Sequence, residues 1–292
     1  MTLISKGIYP LAENNRQIKV FSPISSDTHI KIKQIKPQDK VVIILPTYNE
    51  CDNIIILIPT LEKIMETLEG YESFFIIVDD NSQDGTGDIA VSLAREFKNI
   101  LVIRRPCKLG LGSAYRLGFS HAIDMGAKIV FMMDSDLSHQ PSFIPKFIEC
   151  MKKTKAGLVI GSRYCEGSEI NGWPLKRKLI SSGANFIARV LLGLNQVHDT
   201  TSGFRAFNVE LLKAIDYNTI LSDGYAFLGE MLYRIKEQKS PIHEIPIIFN
   251  ERKFGASKLG KNEIKGFLIY ATRILFDRIL KLVDFSRKFK SL

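Results

Sequence analysis

The sequence is poor in cysteine, and it lacks several patterns that would assign it at once. Four cysteines, Cys51, Cys107, Cys150 and Cys165, occur in 292 residues, and none forms a Cys-x-x-Cys pair. With no apolar segment over Met1–Asn14 to act as a secretory leader, they read as reduced thiols of a cytosolic chain. No stretch approaches the roughly 18–20 apolar residues of a spanning helix. Even Gly266–Thr272 is bounded by Lys265 and Arg273, so the chain is expected to touch a membrane rather than cross it. The dinucleotide fingerprint is missing, because the glycine after Gly110 and Gly112 is Gly118, and no Gly-x4-Gly-Lys-Ser/Thr loop occurs. This argues against a nicotinamide oxidoreductase and a Walker-type nucleotidase. No nucleic-acid motif, repeat or low-complexity tract is found.

What is present is an ordinary globular composition, 45% hydrophobic and 24% charged, sufficient for a sizeable core. The net charge of +9 is unevenly spread. Residues 1–40 carry net +4, residues 41–251 net −3 and residues 252–292 net +8. A basic tail behind a mildly acidic body suits an anionic membrane surface; a solvated charged surface is the alternative.

The first 40 residues are polar and irregular and read as an extension. From there the pattern becomes regular. Strands are expected at Val41–Leu45, Phe74–Val78, Ile100–Ile103, Ile129–Met133 and Leu158–Ile160. Helices are expected at Glu50–Leu68 (capped by Asn49), Asp88–Phe97, Ser113–Met125 and Phe143–Lys153. This alternation implies a parallel sheet covered by helices on both faces, over a catalytic unit spanning 41–251. The last segment, Ile264–Phe285, has a helical period, with Leu268, Leu275, Ile279 and Leu282 on one side and a polar stripe on another. It suits packing on the core or lying at a membrane interface.

Ligands of such sheets bind beyond the carboxyl ends of the strands. Three of four such ends here carry carboxylates, and Arg163 stands at the fourth. Asp134-Ser135-Asp136 puts two carboxylates on one side of an extended segment, where they can hold Mg²⁺ or Mn²⁺ against a diphosphate, with the Ser138 hydroxyl adding an oxygen. Asp79 and Asp80 stand where a base or ribose can be hydrogen-bonded, while Asp84 and Thr86 suit a helix cap. Lys108–Ser113 reads equally as a phosphate loop and as a tight turn. Arg177 and Ser181, four apart, share a helical face suited to gripping a lipid phosphate. The polar loop Asp199–Arg205 either lines the site or satisfies its own backbone; His198 beside it has no visible partner and reads as structural. Arg252 and Lys258 flank Gly255 in a loop able to close over a leaving group, or in a plain basic linker.

Taken in order, Leu45–Glu50, Val78–Thr86, Met133–His139, Gly161–Tyr164 and Thr201–Arg205 resemble the signature blocks of glycosyltransferase family 2, and within it the dolichol-phosphate mannose synthases. The resemblance runs from about residue 41 to 260. It implies a GT-A fold, a Rossmann-like mixed sheet flanked by helices, and transfer of mannose from GDP-mannose to dolichyl or polyprenyl phosphate with inversion. By resemblance, the donor site maps to Pro46, Tyr48, Glu50, Val78, Asp80, Asp134, Ser135, Asp136, Arg163, Arg252 and Lys258. The metal positions map to Asp136 and Ser138 with Asp134 close by, and the acceptor phosphate to Arg177 and Ser181. The usual Asp-Ala-Asp is Asp-Ser-Asp here. The spanning helices of many prokaryotic members are absent, as in the form held at the membrane by separate small subunits, which implies a peripheral protein on the cytoplasmic face.

The acceptor of such a reaction is a phosphate monoester, largely ionised near neutral pH because its second pKa is about 6, so no strong general base is required. The rival readings are a polyprenyl-phosphate glucosyltransferase using UDP-glucose and a non-catalytic nucleotide-sugar-binding subunit.

Overall fold

The computed structural model describes residues 38–220, 222–252 and 272. Lys258, the helix expected at Ile264–Phe285 and almost all of the first 40 residues lie outside them.

Nine strands and seven helices alternate through the described chain. The strands are β1 (Asp39–Thr47), β2 (Tyr71–Asp79), β3 (Ile100–Arg104), β4 (Ile129–Met132), β5 (Leu158–Ser162), β6 (Glu169–Asn171), β7 (Arg205–Asn208), β8 (Ile242–Pro246) and β9 (Ile248–Asn250). The helices are α1 (Cys51–Met65), α2 (Thr86–Glu96), α3 (Leu111–Asp124), α4 (Ile144–Thr154), α5 (Leu175–Leu192), α6 (Val209–Ala214) and α7 (Gly224–Glu237). Seven strands form one sheet in the order β3-β2-β1-β4-β7-β5-β8, and β6 pairs with β9 in a small second sheet.

The runs Val41–Leu45 of β1, Phe75–Val78 of β2 and Ile129–Met132 of β4 are apolar at every position because both faces are covered. Val42 and Ile44 of β1 join a core layer with Tyr115 and Phe119 of α3 and Phe227 of α7. Their neighbours Val41, Ile43 and Leu45 join the opposite layer with Ile54, Leu57 and Leu61 of α1 and Phe147 of α4. Alternation along the strand assigns each residue to its layer. On one face α3 approaches β1 closely at Gly118, where an added Cβ would stand 2.5 Å from Ile44 Cγ2.

Two expectations are corrected. The alternation of elements implies a parallel sheet, whereas the sheet is mixed, as the family resemblance implies, since β7 runs antiparallel between β4 and β5. Its four residues, Arg-Ala-Phe-Asn, are too short and polar to stand out as a strand in the sequence. Asn49 does not cap α1. The helix begins after Glu50, and Asn49 takes a left-handed φ of 56°. Its side-chain oxygen accepts from the Gln83 amide and its own amide donates to Ser82 Oγ, so it stitches the ends of β1 and β2 together.

Candidate active site

The carboxyl ends of β1, β2, β4 and β5 converge on a cavity of about 280 Å³. Its walls include Pro46, Tyr48, Glu50, Asp80, Asp134, Ser135, Asp136, Ser138, Arg163, Arg177 and Arg252. Residues more than 200 positions apart in the chain are thereby brought to one hollow. Two residues of the expected set stand elsewhere. Val78 is fully buried in the core beneath the site. Ser181 is one helical turn beyond Arg177 on α5, where its hydroxyl accepts from the Tyr164 phenol at 2.6 Å.

The Asp134–Ser138 turn follows β4. Asp136 Oδ1 accepts from both the amide and the hydroxyl of Ser138, at 3.1 and 2.6 Å. Its Oδ2 lies 3.2 Å from Arg252 Nη2. The Ser135 hydroxyl donates to the Pro46 carbonyl at 2.9 Å, tying this turn to the end of β1. Asp134 keeps about a third of its side chain exposed (37 %). Enclosure by the cavity walls pushes its carboxyl above the ordinary carboxylate range. Gly203 lies so close that a Cβ there would stand 3.1 Å from both Asp134 oxygens. His139 is buried, stacked on Phe204 with ring centroids 5.1 Å apart. Its Nδ1 accepts from the Asp134 amide at 3.3 Å, which places the ring proton on Nε2. Burial holds this imidazole below its usual pKa, so it stays neutral.

Arg163 is held more firmly than its isolated position after β5 suggests. Nε and Nη2 donate to the two oxygens of Asp199 at 2.7 and 2.8 Å, and Nη2 also donates to Thr201 Oγ1. Burial alone would raise the Asp199 pKa. The charge and hydrogen bonds of Arg163 outweigh it and hold the carboxyl below its ordinary value. The polar loop after residue 198 therefore does both things the sequence left open. Thr201 and Gly203 line the cavity, and Arg205 satisfies the loop's backbone by donating to the carbonyls of Thr200 and Ser202 and to that of Leu228 in α7. His198 has a partner after all, with Nδ1 2.6 Å from Glu244 Oε2. The other oxygen of Glu244 accepts from the Asp199 amide and so supports the same loop.

Asp80 is buried in an ion pair with Arg105 and accepts from the Leu109 and Gly110 amides. The Gly112 amide donates to Asp223 at 2.5 Å. Three amides of the glycine-rich segment are thus turned onto the protein's own carboxylates, so it is a tight turn and not a phosphate loop. Gly110, with φ at +91°, makes the turn possible. Its product is Lys108, whose Nζ sits 4.0 Å from the centre of the Tyr48 ring at the cavity wall. Asp79, expected beside Asp80 at the ligand, is instead almost wholly buried and accepts from Thr47 and Ser82. The cap position of α2 falls to Gly85 and not to Asp84 or Thr86; Asp84 instead accepts from the first amides of α2 and α1, those of Thr86 and Cys51.

Several wall residues carried no signal in the sequence. Asp223 and Phe249 belong to no motif; Arg105, which stands behind the wall and pairs with Asp80, lies one residue past β3. Trp173, the single tryptophan, was visible only as the first residue of a basic cluster. Its ring lies 4.1 Å under the Arg177 guanidinium and packs edge-on against Phe249.

Acidic turns and fixed guanidinium groups around one hollow at the strand ends of a mixed sheet define a sugar-transferase architecture of the GT-A type. The chain superposes with a TM-score of 0.58 on glucosyl-3-phosphoglycerate synthase from Mycobacterium tuberculosis in complex with Mn²⁺, uridine diphosphate and phosphoglyceric acid. The match covers 82% of this chain and 78% of that one at 19% identity, a likeness of fold. Residues 42–216 match the model of glycosyl transferase family 2, and the chain belongs to that family. It is 38% identical over 234 residues to the undecaprenyl-phosphate mannosyltransferase of Micrococcus luteus, covering 80% of this chain and 93% of the relative. It is 34% identical over 232 residues to the polyprenol monophosphomannose synthase of Mycolicibacterium smegmatis, covering 79% and 85%.

Proposed function

We propose that this enzyme transfers mannose from GDP-mannose to a polyprenyl phosphate, with inversion at the anomeric carbon. One observation carries the reading: a single cavity sets the Asp134 and Asp136 carboxylates beside three guanidinium groups, Arg163, Arg177 and Arg252. That is the arrangement a reaction needs when a diphosphate leaves and a phosphate attacks. The two relatives, named for polyprenol-linked mannose transfer, support the sugar and the lipid.

A divalent cation fits the residues present. Asp134 and Asp136 offer hard carboxylate oxygens, and among the described residues no third acidic or imidazole ligand closes a cage around them. Mg²⁺ and Mn²⁺ accept such a partial set, because waters and substrate phosphates complete their coordination. When bound, the ion would neutralise charge on the departing diphosphate.

The remaining work belongs to the chain. Tyr48, under Lys108, forms a flat wall suited to a nucleobase. Asp80 and Glu50 line the same end, and Pro46, Ser135 and Arg252 the donor's path, with Lys258 assigned by sequence. Arg163, fixed by Asp199, would oppose phosphate charge without having to reorganise during the reaction. Arg177 would hold the acceptor phosphate, supported by the Trp173 ring, while Ser181, assigned to the acceptor by resemblance, is joined to the Tyr164 phenol beside Arg163. An oxygen of this phosphate forms the new bond to the anomeric carbon as the bond to the diphosphate breaks, and the electron pair leaves with GDP. The phosphate arrives ionised, so no strong base is needed.

The test is transfer of labelled sugar from GDP-mannose, and in parallel from UDP-glucose, into lipid extract with Mg²⁺ or Mn²⁺. Lipid-bound label from GDP-mannose is expected, with Asp136→Ala reducing it by roughly 10³-fold, the scale of losing a main electrostatic contact in a dry site. Label from UDP-glucose alone would overturn the donor.

A further inference from the structure

Arg163 is fixed by Asp199, and Asp199 must itself be fixed. Its side chain is fully buried and meets Nε, Nη2 and the amide of Arg163. Its main chain is held from behind by Glu244. The Asp199 amide donates to Glu244 Oε1 at 2.8 Å, and the preceding amide, that of His198, donates to Oε2 at 2.8 Å. One carboxylate thus grips two successive amides, which sets the peptide plane between them. Glu244 is the middle residue of β8, in register with Ile160 of β5. The anchor and the strand that leads into Arg163 are therefore neighbours in one sheet. Glu244 is not among the residues that line the cavity.

The grip needs a carboxylate. Hydrogen bonds from backbone N–H groups to an ionised acceptor are shorter and stronger than neutral ones. A glutamine offers one acceptor oxygen, and its NH₂ would face the other N–H, donor against donor. The His198 ring adds a third contact, with Nδ1 2.6 Å from Oε2. That ring is 49% exposed and the Glu244 side chain 7%, so the imidazole stands between the carboxylate and water. A second support reaches the loop from α5. Asn185 Oδ1 accepts from the amide and the hydroxyl of Thr200, and Asn185 Nδ2 donates to Thr201 Oγ1, the oxygen that also receives Arg163 Nη2. Asn185 holds the hydroxyl contact to the guanidinium, and Glu244 holds the charged one.

We propose that Glu244 is a positioning residue for sugar transfer: by holding the His198 and Asp199 amides it sets Asp199, and through Asp199 it keeps the Arg163 guanidinium aimed at the donor phosphates. A displacement on the order of 1 Å in such a group costs roughly 100-fold in rate. The loss should fall on the step in which charge develops, because a fixed cation serves the departing diphosphate more than the bound donor. The inference rests on the sugar-transfer reading for its purpose, but one arm of its test does not.

The experiment compares Glu244→Gln in two backgrounds of the full chain: the natural sequence, and Arg163→Gln with Asp199→Asn, which removes both charges of the pair together and leaves no lone buried ion. Urea unfolding checks that each variant is folded under assay conditions. In the natural background Glu244→Gln should lower kcat for transfer from GDP-mannose roughly 100-fold, with KM for the donor altered by less than about threefold. In the neutral-pair background it should alter kcat by no more than about twofold, because the group it acts through is gone. Glu244→Asp keeps the charge but is one methylene short of bridging both amides, and should lose at least about tenfold in kcat. The second arm is calorimetry of GDP, and in parallel UDP, with Mn²⁺ and without sugar or lipid. The free nucleoside diphosphate carries the charge that the departing group acquires, so Glu244→Gln should weaken the nucleotide that binds about tenfold, and only where Arg163 and Asp199 are intact. Equal losses in both backgrounds would show a merely structural role and overturn the proposal, as would natural turnover in either Glu244 variant. Coupled loss of nucleotide binding without sugar transfer by the natural chain would sink the function reading alone. Transfer without that coupling would sink the role of Glu244 alone.

Discussion

At the scale of single residues, the site is built from charges that hold other charges. Asp199 shows this best. It is fully buried, yet it carries a negative charge because Arg163 donates to it from Nε, Nη2 and its own amide. Asp199→Asn removes the charge but keeps the shape, and takes from the buried Arg163 guanidinium the carboxylate that fixes it. Breaking one side of a buried pair costs about 3–5 kcal/mol, measurable as a drop in urea unfolding free energy at pH 7. The pH dependence has a definite sign. The folded-state pKa of Asp199 is depressed, so its contribution is fully present above the unfolded carboxylate value near 4 and is lost as pH falls through the lower folded value. Below that pH, wild type and Asp199→Asn should converge in stability; a gap that persists unchanged at low pH would refute the ion pair's role. Arg205, also fully buried, is a different case. Burial pulls its pKa down to about 10, and three backbone carbonyls receive its hydrogen bonds in place of a paired acid.

Among elements, α3 comes very near β1 on one face of the sheet. Gly118 is not a turn glycine; it is needed because Ile44 fills the space a Cβ would take. Gly118→Ala should cost about 1–3 kcal/mol through overpacking, despite alanine's better helix propensity. Adding Ile44→Ala should recover part of the loss in a double-mutant cycle of melting temperatures. Additive penalties would show that the two side chains do not compete for one volume. The same helix carries Tyr115, whose buried ring stacks between Phe119 and Phe227 beneath the acidic turn. Error at this contact is therefore expected to reach the site. In Gly118→Ala, activity should fall further than the lost fraction of folded enzyme accounts for.

For the whole molecule, no covalent staple operates. All four cysteines are free thiols, Cys107 the exposed one, and burial pushes the thiols of Cys150 and Cys165 upward. Unfolding by urea should be indifferent to reductant, and a thiol reagent should titrate Cys107 first and all four only after denaturation. A reductant-dependent midpoint would contradict this. Stability rests instead on two apolar layers, one on each face of the central sheet. Among the described residues no helix is long and apolar enough to span a bilayer.

How much of this was legible in the sequence follows from the range of the forces involved. The apolar runs of β1, β2 and β4 and the acidic turns after them are written in consecutive residues, because a strand buried on both faces must be apolar at every position. Five short blocks in order were enough to indicate the family, and with it the outline of the fold. Partnerships across the chain could not be read this way. Arg163 and Asp199 are separated by 36 positions and Gly112 and Asp223 by 111, and which carboxylate meets which donor is set only when the sheet order fixes their strand ends side by side. The glycine-rich turn shows the consequence. Its composition fits a phosphate loop, but tertiary structure turns its amides onto Asp80 and Asp223. The apolar side chains of α5 are the other case, with Leu175, Leu179 and Phe186 exposed. They are plain in the sequence, but hydrophobicity alone does not say whether a helical face is covered or bare; only the packed fold, with the core on the opposite side, decides that.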